Sequence, residues 1–201
     1  DPQVVSQHPE LALDARYHLL SPDARRPGGE EVLEALEDRP ESALLHYLAG
    51  RYRLSQKKAQ EATKHFEKAL ALEPGHARTV LELARYLGSL GKWKAAASYY
   101  DNLRSNFPGH VRAQLGAARV KVERGENLDG ALEVLRMVEK DFGDKLSPEE
   151  SVTLEAVYGR VLEARGEHPE AVARLEAALQ AHPKRAKLAG LLARSRAKHH
   201  E

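Results

Sequence analysis

Arg51, Arg85 and Arg119 stand 34 residues apart, and Arg160 continues the series across seven added residues. Arg78 and Arg112 form a second pair at the same spacing. A guanidinium is planar, keeps its charge at physiological pH and offers paired N–H donors to a carboxylate, so a recurring arginine suits the gripping of anions. Leu44, Tyr47, Leu81 and Leu115 fall among these arginines and would supply apolar contacts. The chemistry implied is non-covalent recognition of an acidic peptide, a C-terminal carboxylate or an acidic helix. The plainer alternative is a set of solvated arginines paired with neighbouring Glu or Asp, since surface charge by itself says little.

Other chemistries lack a constellation. There is no cysteine, hence no disulfide framework, thiolate metal site or thiol nucleophile. No pair among the ten histidines has the i, i+4 spacing with a third ligand nearby that zinc requires. His76 and His110 fall in equivalent turns, where capping a helix is the expected role. No glycine-rich phosphate loop, nucleophile elbow or Ser–His–Asp spacing occurs. The expectation is therefore a protein with no catalytic residue, no metal and no cofactor. Trp93, just after a turn glycine, is expected to pack between helices.

The charges balance, 31 basic against 30 acidic over 201 residues, which argues against a wholesale polyanion binder. The balance hides a partition. Residues 1–42 hold 10 acidic and 4 basic residues; the remainder holds 20 and 27. An acidic start could dock on the basic array, within one molecule or on a neighbour, which makes the terminal repeats candidates for self-association. Lys184, Arg185, Lys187, Arg194, Arg196 and Lys198 form a basic stripe that could touch RNA or anionic lipid. The aromatic platforms of single-strand binders are missing, which argues against nucleic acid. No run approaches the ~18 apolar residues of a membrane helix, so no membrane span is expected. A soluble protein of cytoplasm or periplasm fits, and the richness in Ala, Leu and Arg reads as bacterial. With Asp rather than Met at residue 1, the chain reads as a processed product or a piece of a longer protein.

The elements that must carry these residues are helices. Isoleucine is absent, aromatics are 5%, and Ala, Leu, Glu, Lys and Arg dominate. Pro40, Pro74 and Pro108 share the spacing of 34, and Pro-Gly-His recurs at 74–76 and 108–110. Ala62, Phe66, Ala69 and Pro74 align with Ala96, Tyr100, Leu103 and Pro108, and again with Ala171, Leu175, Ala178 and Pro183. Each unit reads as two amphipathic helices, such as 43–54 and 59–72. Gly91, Gly125 and Gly166 sit at the turn inside later units, and the prolines close the second helices. The third unit gains residues near Asn127-Leu128 and over 143–146. Ser147-Pro148-Glu149-Glu150 then reads as a capped helix start.

This pattern resembles the tetratricopeptide repeat (TPR) family. Gly50 and Gly159 match its small first-helix residue, which Ala84 and Ala118 replace. Ala62, Ala96, Ala131 and Ala171 match the small residue opening the second helix, and Phe66 and Tyr100 match its aromatic. The family's first-helix tryptophan is replaced by His46, Val80, Gln114 and Glu155. The resemblance implies an all-α, right-handed α-solenoid of antiparallel helix pairs whose first helices line a concave, partner-binding face. The organisation expected is an acidic helical segment over 1–42, a degenerate repeat or two irregular helices. Four repeats follow over 43–185 (43–76, 77–110, 111–151 and 152–185), then a basic capping helix over 186–201 with Leu188, Leu191 and Leu192 on one side. The function expected is that of a scaffold or adaptor binding an acidic partner in an arginine-lined groove. The alternatives are an RNA-associated repeat protein, or a regulatory module of a larger enzyme or of a secretion, motility or envelope-assembly protein.

Overall fold

A computed structural model describes residues 28–199. The expected helix over 10–20 and most of the acidic N-terminal segment lie outside them. The described residues form ten α-helices and no strand. In chain order they are α1 (Gly29–Asp38), α2 (Ala43–Ser55), α3 (Ala59–Leu72), α4 (Ala77–Ser89), α5 (Trp93–Asn106), α6 (Val111–Arg124), α7 (Leu128–Phe142), α8 (Pro148–Ala164), α9 (His168–Ala181) and α10 (Ala186–His199). The chain divides into two compact units, residues 1–83 and 84–201, with the boundary inside α4.

In the first unit, α2 and α3 form a hairpin with α1 packed on α2. Ser42 caps α2 by accepting a hydrogen bond from the Leu45 amide at 3.2 Å. The hairpin closes where α2 carries no side chain. A Cβ on Gly50 would lie 2.5 Å from the Phe66 ring, so the glycine admits the aromatic. Leu45, Leu48, Ala49, Ala62, Phe66 and Ala69 are wholly buried around that contact. Burying a side chain of the size of Phe66 contributes about 2–3 kcal/mol.

The second unit repeats the hairpin. First helices α6, α8 and α10 lie side by side, α6 on α8 and α8 on α10. Second helices fill the other layer, with α7 against α6 and α8, and α9 against α8 and α10. Leu115, Leu135, Leu154, Val157, Val161 and Leu162 form the main core, and Leu175, Leu188 and Leu192 form a second cluster beneath α10. The added residues of the third repeat are absorbed by a 3₁₀ turn, Gly143–Lys145. Behind it α8 starts with a full capping box. The Glu150 amide donates to Ser147 Oγ, and the Ser147 amide donates to the Glu150 carboxylate. Tyr100 makes a contact that its place in the pattern does not announce. Its ring packs on the next first helix at Gly116, where a Cβ would lie 2.3 Å away.

The positions where the family carries tryptophan are filled by polar pairings. His46 Nε2 bonds the Pro40 carbonyl at 3.0 Å, and Gln114 Nε2 donates to the Pro108 carbonyl at 2.7 Å. The same bond thus ties the start of two repeats to the proline six residues before each. His46 also meets His65 at 3.2 Å, Gln114 accepts from Arg104 at 2.7 Å, and Glu155 pairs with Arg174 at 2.8 Å. Val80 alone of the four is a plain core residue, 2% exposed.

Candidate partner-binding surface

The first-helix layer of the second unit brings cations from two helices onto one carboxylate. Glu123 lies one turn after Arg119 on α6, so the pair is an i, i+4 contact, with Nε 3.6 Å from Oε1. Arg160 of α8 places Nη1 on the same Glu123 oxygen. The core beneath fixes both helices, which holds these two guanidinium stems in register. Each arginine retains a buried Nε–H without an acceptor. The Arg119 guanidinium also lies 5.6 Å over the Trp93 ring, a cation–π contact. Trp93 in turn fills the space that a Cβ on Gly88 would take.

Lys187 of α10 feels the charges of this pair. It is an exposed residue, yet it makes no ion pair among the described residues. Crowding about its ammonium, followed by the charges of Arg119 and Arg160, holds it below the usual lysine range, with Glu123 offsetting part of the effect. Its phase was legible in the sequence: Lys187 follows Arg112 by two periods plus the seven-residue insertion. Reading it only within the C-terminal stripe hid that relation.

The other expected site residues are distributed differently. Arg51, in the first unit, is half-buried, donates to Tyr47 Oη at 3.3 Å and lies 5.9 Å from the Tyr47 ring centroid. Arg78 and Arg85 are exposed, and Leu44 and Leu81 are half-buried. Arg112 is exposed and pairs with Glu150 at 3.1 Å, bridging α6 to the start of α8. Tyr47 and Leu115 are corrections to the expected groove. They are 2% and 1% exposed, so neither offers a surface to a ligand. Tyr47 packs instead against Phe66 and His76, and its burial, chiefly, pushes the phenol upward. Of the four interleaved apolar residues, Tyr47 and Leu115 belong to the core and Leu44 and Leu81 are half-buried.

Half of the basic stripe is paired with carboxylates of the fold. Arg194 and Lys198 both pair with Glu163, and Arg196 pairs with Glu176 at 2.7 Å. On the second-helix side, a cleft of about 330 Å³ is lined by Glu139, Ser151, Glu155, Arg174 and His182 above small alanines. Its charges are already joined, since Arg174 bridges Glu139 and Glu155. His76 shares a 2.7 Å hydrogen bond with Thr79 at the head of α4, whereas Ala113 stands at the matching place after His110 and leaves that ring nitrogen without a partner. Among the described residues no group of three His, Asp or Glu could hold a metal ion, and no helix is long and apolar enough to cross a membrane.

A family model described as protein kinase G tetratricopeptide repeat matches residues 5–144. No curated protein matches the sequence. Among solved structures, a tetratricopeptide repeat protein from Parabacteroides merdae superposes with a TM-score of 0.70 at 18% identity, covering 85% of this chain and 65% of that one. A chain of the APC/C hetero-tetramer Cut9–Hcn1 gives 0.78 at 19%, covering 98% of this chain and 38% of that one. YrrB, a TPR protein with an unusual peptide-binding site, gives 0.60 at 19%, covering 94% and 95%. The present chain thus spans less than two thirds of the first two. At such identity the likeness shows the fold, an all-α tetratricopeptide solenoid.

Proposed function

This chain belongs to the protein kinase G tetratricopeptide repeat family, and we propose that it is a partner-holding module that grips an acidic segment of another protein on its first-helix surface. The observation that carries the reading is the convergence of Arg119 and Arg160, from two packed helices, on the single carboxylate of Glu123. Cations fixed on two packed helices form a preorganised surface, which lowers the ordering cost of binding. Half-burial and the Trp93 ring beneath Arg119 reduce solvent screening, so an incoming carboxylate gains more there than on an open surface. The peptide-binding site of YrrB, on a similar fold, is a precedent for the class of ligand. The description of the family supports a regulatory setting, in which the module holds a protein for a kinase.

A titration of the full chain with fluorescent Asp/Glu-rich and Lys-rich peptides tests this. The acidic peptide should bind. Arg119→Glu with Arg160→Glu should weaken it by at least about tenfold while the helical circular dichroism stays unchanged. Equal affinity in the double variant, or tighter binding of the basic peptide, would sink the reading. The RNA alternative has less support, since Arg194, Arg196 and Lys198 already have carboxylate partners. If RNA does bind, its affinity should fall steeply with salt.

A further inference from the structure

The geometry points to a lysine pocket in the cleft that α7, α8 and α9 form on the second-helix side, shaped to take one lysine side chain of a partner protein. It shares no residue with the Arg119, Arg160 and Glu123 cluster and does not rest on the acidic-segment reading. The cleft holds about 330 Å³, at the lower end of the range for sites that receive small ligands. Ala177, Ala178 and Ala181 give it a small apolar wall, and Glu139, Glu155 and Ser151 bring oxygens to it. An apolar wall beside oxygen acceptors suits a side chain with an aliphatic stem and a charged head.

Charge selects a cationic head. Glu139 and Glu155 share a single guanidinium, that of Arg174, at 2.6 and 2.8 Å. The charges are joined but not balanced, since two carboxylates against one cation leave one negative charge over. Stacking on the Tyr158 ring holds Arg174 in place. Arg136, the other cation that acts on Tyr158, does not line the cleft. Neither carboxylate is sealed off: the Glu139 side chain is 46% exposed and that of Glu155 17%. Burial, chiefly, raises the Glu155 pKa, Arg174 and His182 push it down and Glu139 pushes it up. A cation entering the cleft would favour the charged form further.

Acceptor geometry selects an ammonium over a guanidinium. Glu155 already presents both oxygens to Arg174, Oε2 to Nε at 2.8 Å and Oε1 to Nη2 at 3.2 Å. Glu139 gives Oε1 to Arg174 and Oε2 to the Tyr158 hydroxyl at 3.0 Å. Neither carboxylate keeps a free pair of oxygens for a second planar fork. What remains is single lone pairs, which the three independent donors of an ammonium can take one by one. Ser151 Oγ stands 3.2 Å from His182 Nε2 and, donating its proton there, offers a third acceptor.

The test uses the full chain and five probes: capped Ala–Gly peptides with one central lysine, arginine, norleucine or acetyl-lysine, and n-butylamine alone. Amide NMR shifts at Ser151, Glu155, Ala178 and His182 report occupation of the cleft. The lysine peptide should bind about fivefold more tightly than the arginine peptide, and the two neutral peptides should leave the shifts unmoved. Glu139→Gln and Glu155→Gln should each weaken the lysine peptide by about tenfold, because the surplus charge is gone. Ala177→Leu, at an exposed position of α9, should block the stem with every charge in place and the helical circular dichroism unchanged. Arg119→Glu with Arg160→Glu should leave lysine binding as it was, and a loss there would place the peptide elsewhere and overturn the proposal. Equal shifts from the norleucine peptide, an arginine peptide that binds as tightly, or full affinity in Ala177→Leu each overturn it. So does the absence of any shift with the lysine peptide. n-Butylamine binding as tightly as the lysine peptide overturns a protein side chain as the source.

Discussion

Arg194 donates from both Nε and Nη2 to one oxygen of Glu163, at 3.0 and 2.7 Å, across the α8–α10 contact. Lys198 takes the other oxygen at 2.8 Å. Glu163 is 6% exposed, so this is the polar anchor of the last helix. Burial alone would raise its pKa, but the hydrogen bonds and charges of Arg194 and Lys198 outweigh it and hold the carboxyl below its ordinary 4.5. A folded pKa below the unfolded one stabilises above the unfolded value, and the gain is lost as pH falls through the folded value. Glu163→Ala should therefore cost about 2 kcal/mol and expose α10 amides to hydrogen exchange before the rest of the unit. In the unaltered chain the same amides should exchange faster once pH drops below about 4.5. Unchanged α10 exchange in the variant would show that Leu188 and Leu192 hold the helix without help.

Lys57 takes the left-handed turn at φ 61°, where the later repeats place Gly91, Gly125 and Gly166 at 71°, 63° and 79°. A Cβ in that region costs about 1 kcal/mol or more, which glycine avoids. Lys57→Gly should raise the unfolding free energy of the first unit by about 1 kcal/mol, read by denaturant titration. A decrease would mean that the Lys57 side chain supplies a contact worth more than the strain.

The sequence carried the periodicity well because the fold repeats its constraints. Small residues at the helix crossings, left-handed turns and closing prolines each leave a fixed residue type at a fixed interval. The Ser147 capping box was legible for the same reason: local hydrogen bonding dictates its residues. The candidate site was only half legible. Spacing picked out Arg119 and Arg160, but which of the interleaved apolar residues turn inward depends on helix rotation against neighbours, and this buried Tyr47 and Leu115. The polar bonds at His46, Gln114 and Glu155 were illegible, since each partner comes from another segment and no interval links donor type to acceptor type.

His46 and His65 meet at 3.2 Å through their Nδ1 atoms. Burial, chiefly, lowers the pKa of both rings. For His46 the Pro40 carbonyl and Glu41 push upward and Lys68 downward; for His65 the charges of His46 and Arg53 push downward and Glu61 upward. A lowered histidine binds fewer protons when folded, so its destabilising effect is absent above the unfolded value near 6.5 and grows as pH falls through the folded value. The first unit should therefore lose stability on mild acidification. His46→Gln should flatten that dependence, because Gln114 already makes the corresponding bond to Pro108. Thermal unfolding followed across neutral to mildly acidic pH checks this, and an equally steep variant would exclude the pair as its source.

Arg174 lies flat against Tyr158, its guanidinium carbon 3.6 Å from the ring centroid, while it bonds Glu139 and Glu155. Tyr158 also donates to Glu139 at 3.0 Å. Burial and that acceptor push the phenol far upward, so it remains a donor at every ordinary pH. Glu155 is raised chiefly by burial and held back by Arg174. Removing the guanidinium leaves two carboxylates facing each other with no cation between them. Arg174→Met should cost about 2 kcal/mol at neutral pH, retaining the packing over Tyr158 but not the charge. The sign of its pH dependence is the sharper test. Without Arg174 the Glu155 pKa rises further, and a folded pKa above the unfolded one contributes stability below the unfolded value that is lost as pH rises through the folded value. The gap between variant and parent should therefore be widest near neutrality and narrow in acid, as Glu155 takes up a proton. Adding Glu155→Gln should recover much of the loss at neutral pH. A gap independent of pH would assign the role of Arg174 to its stacking on Tyr158.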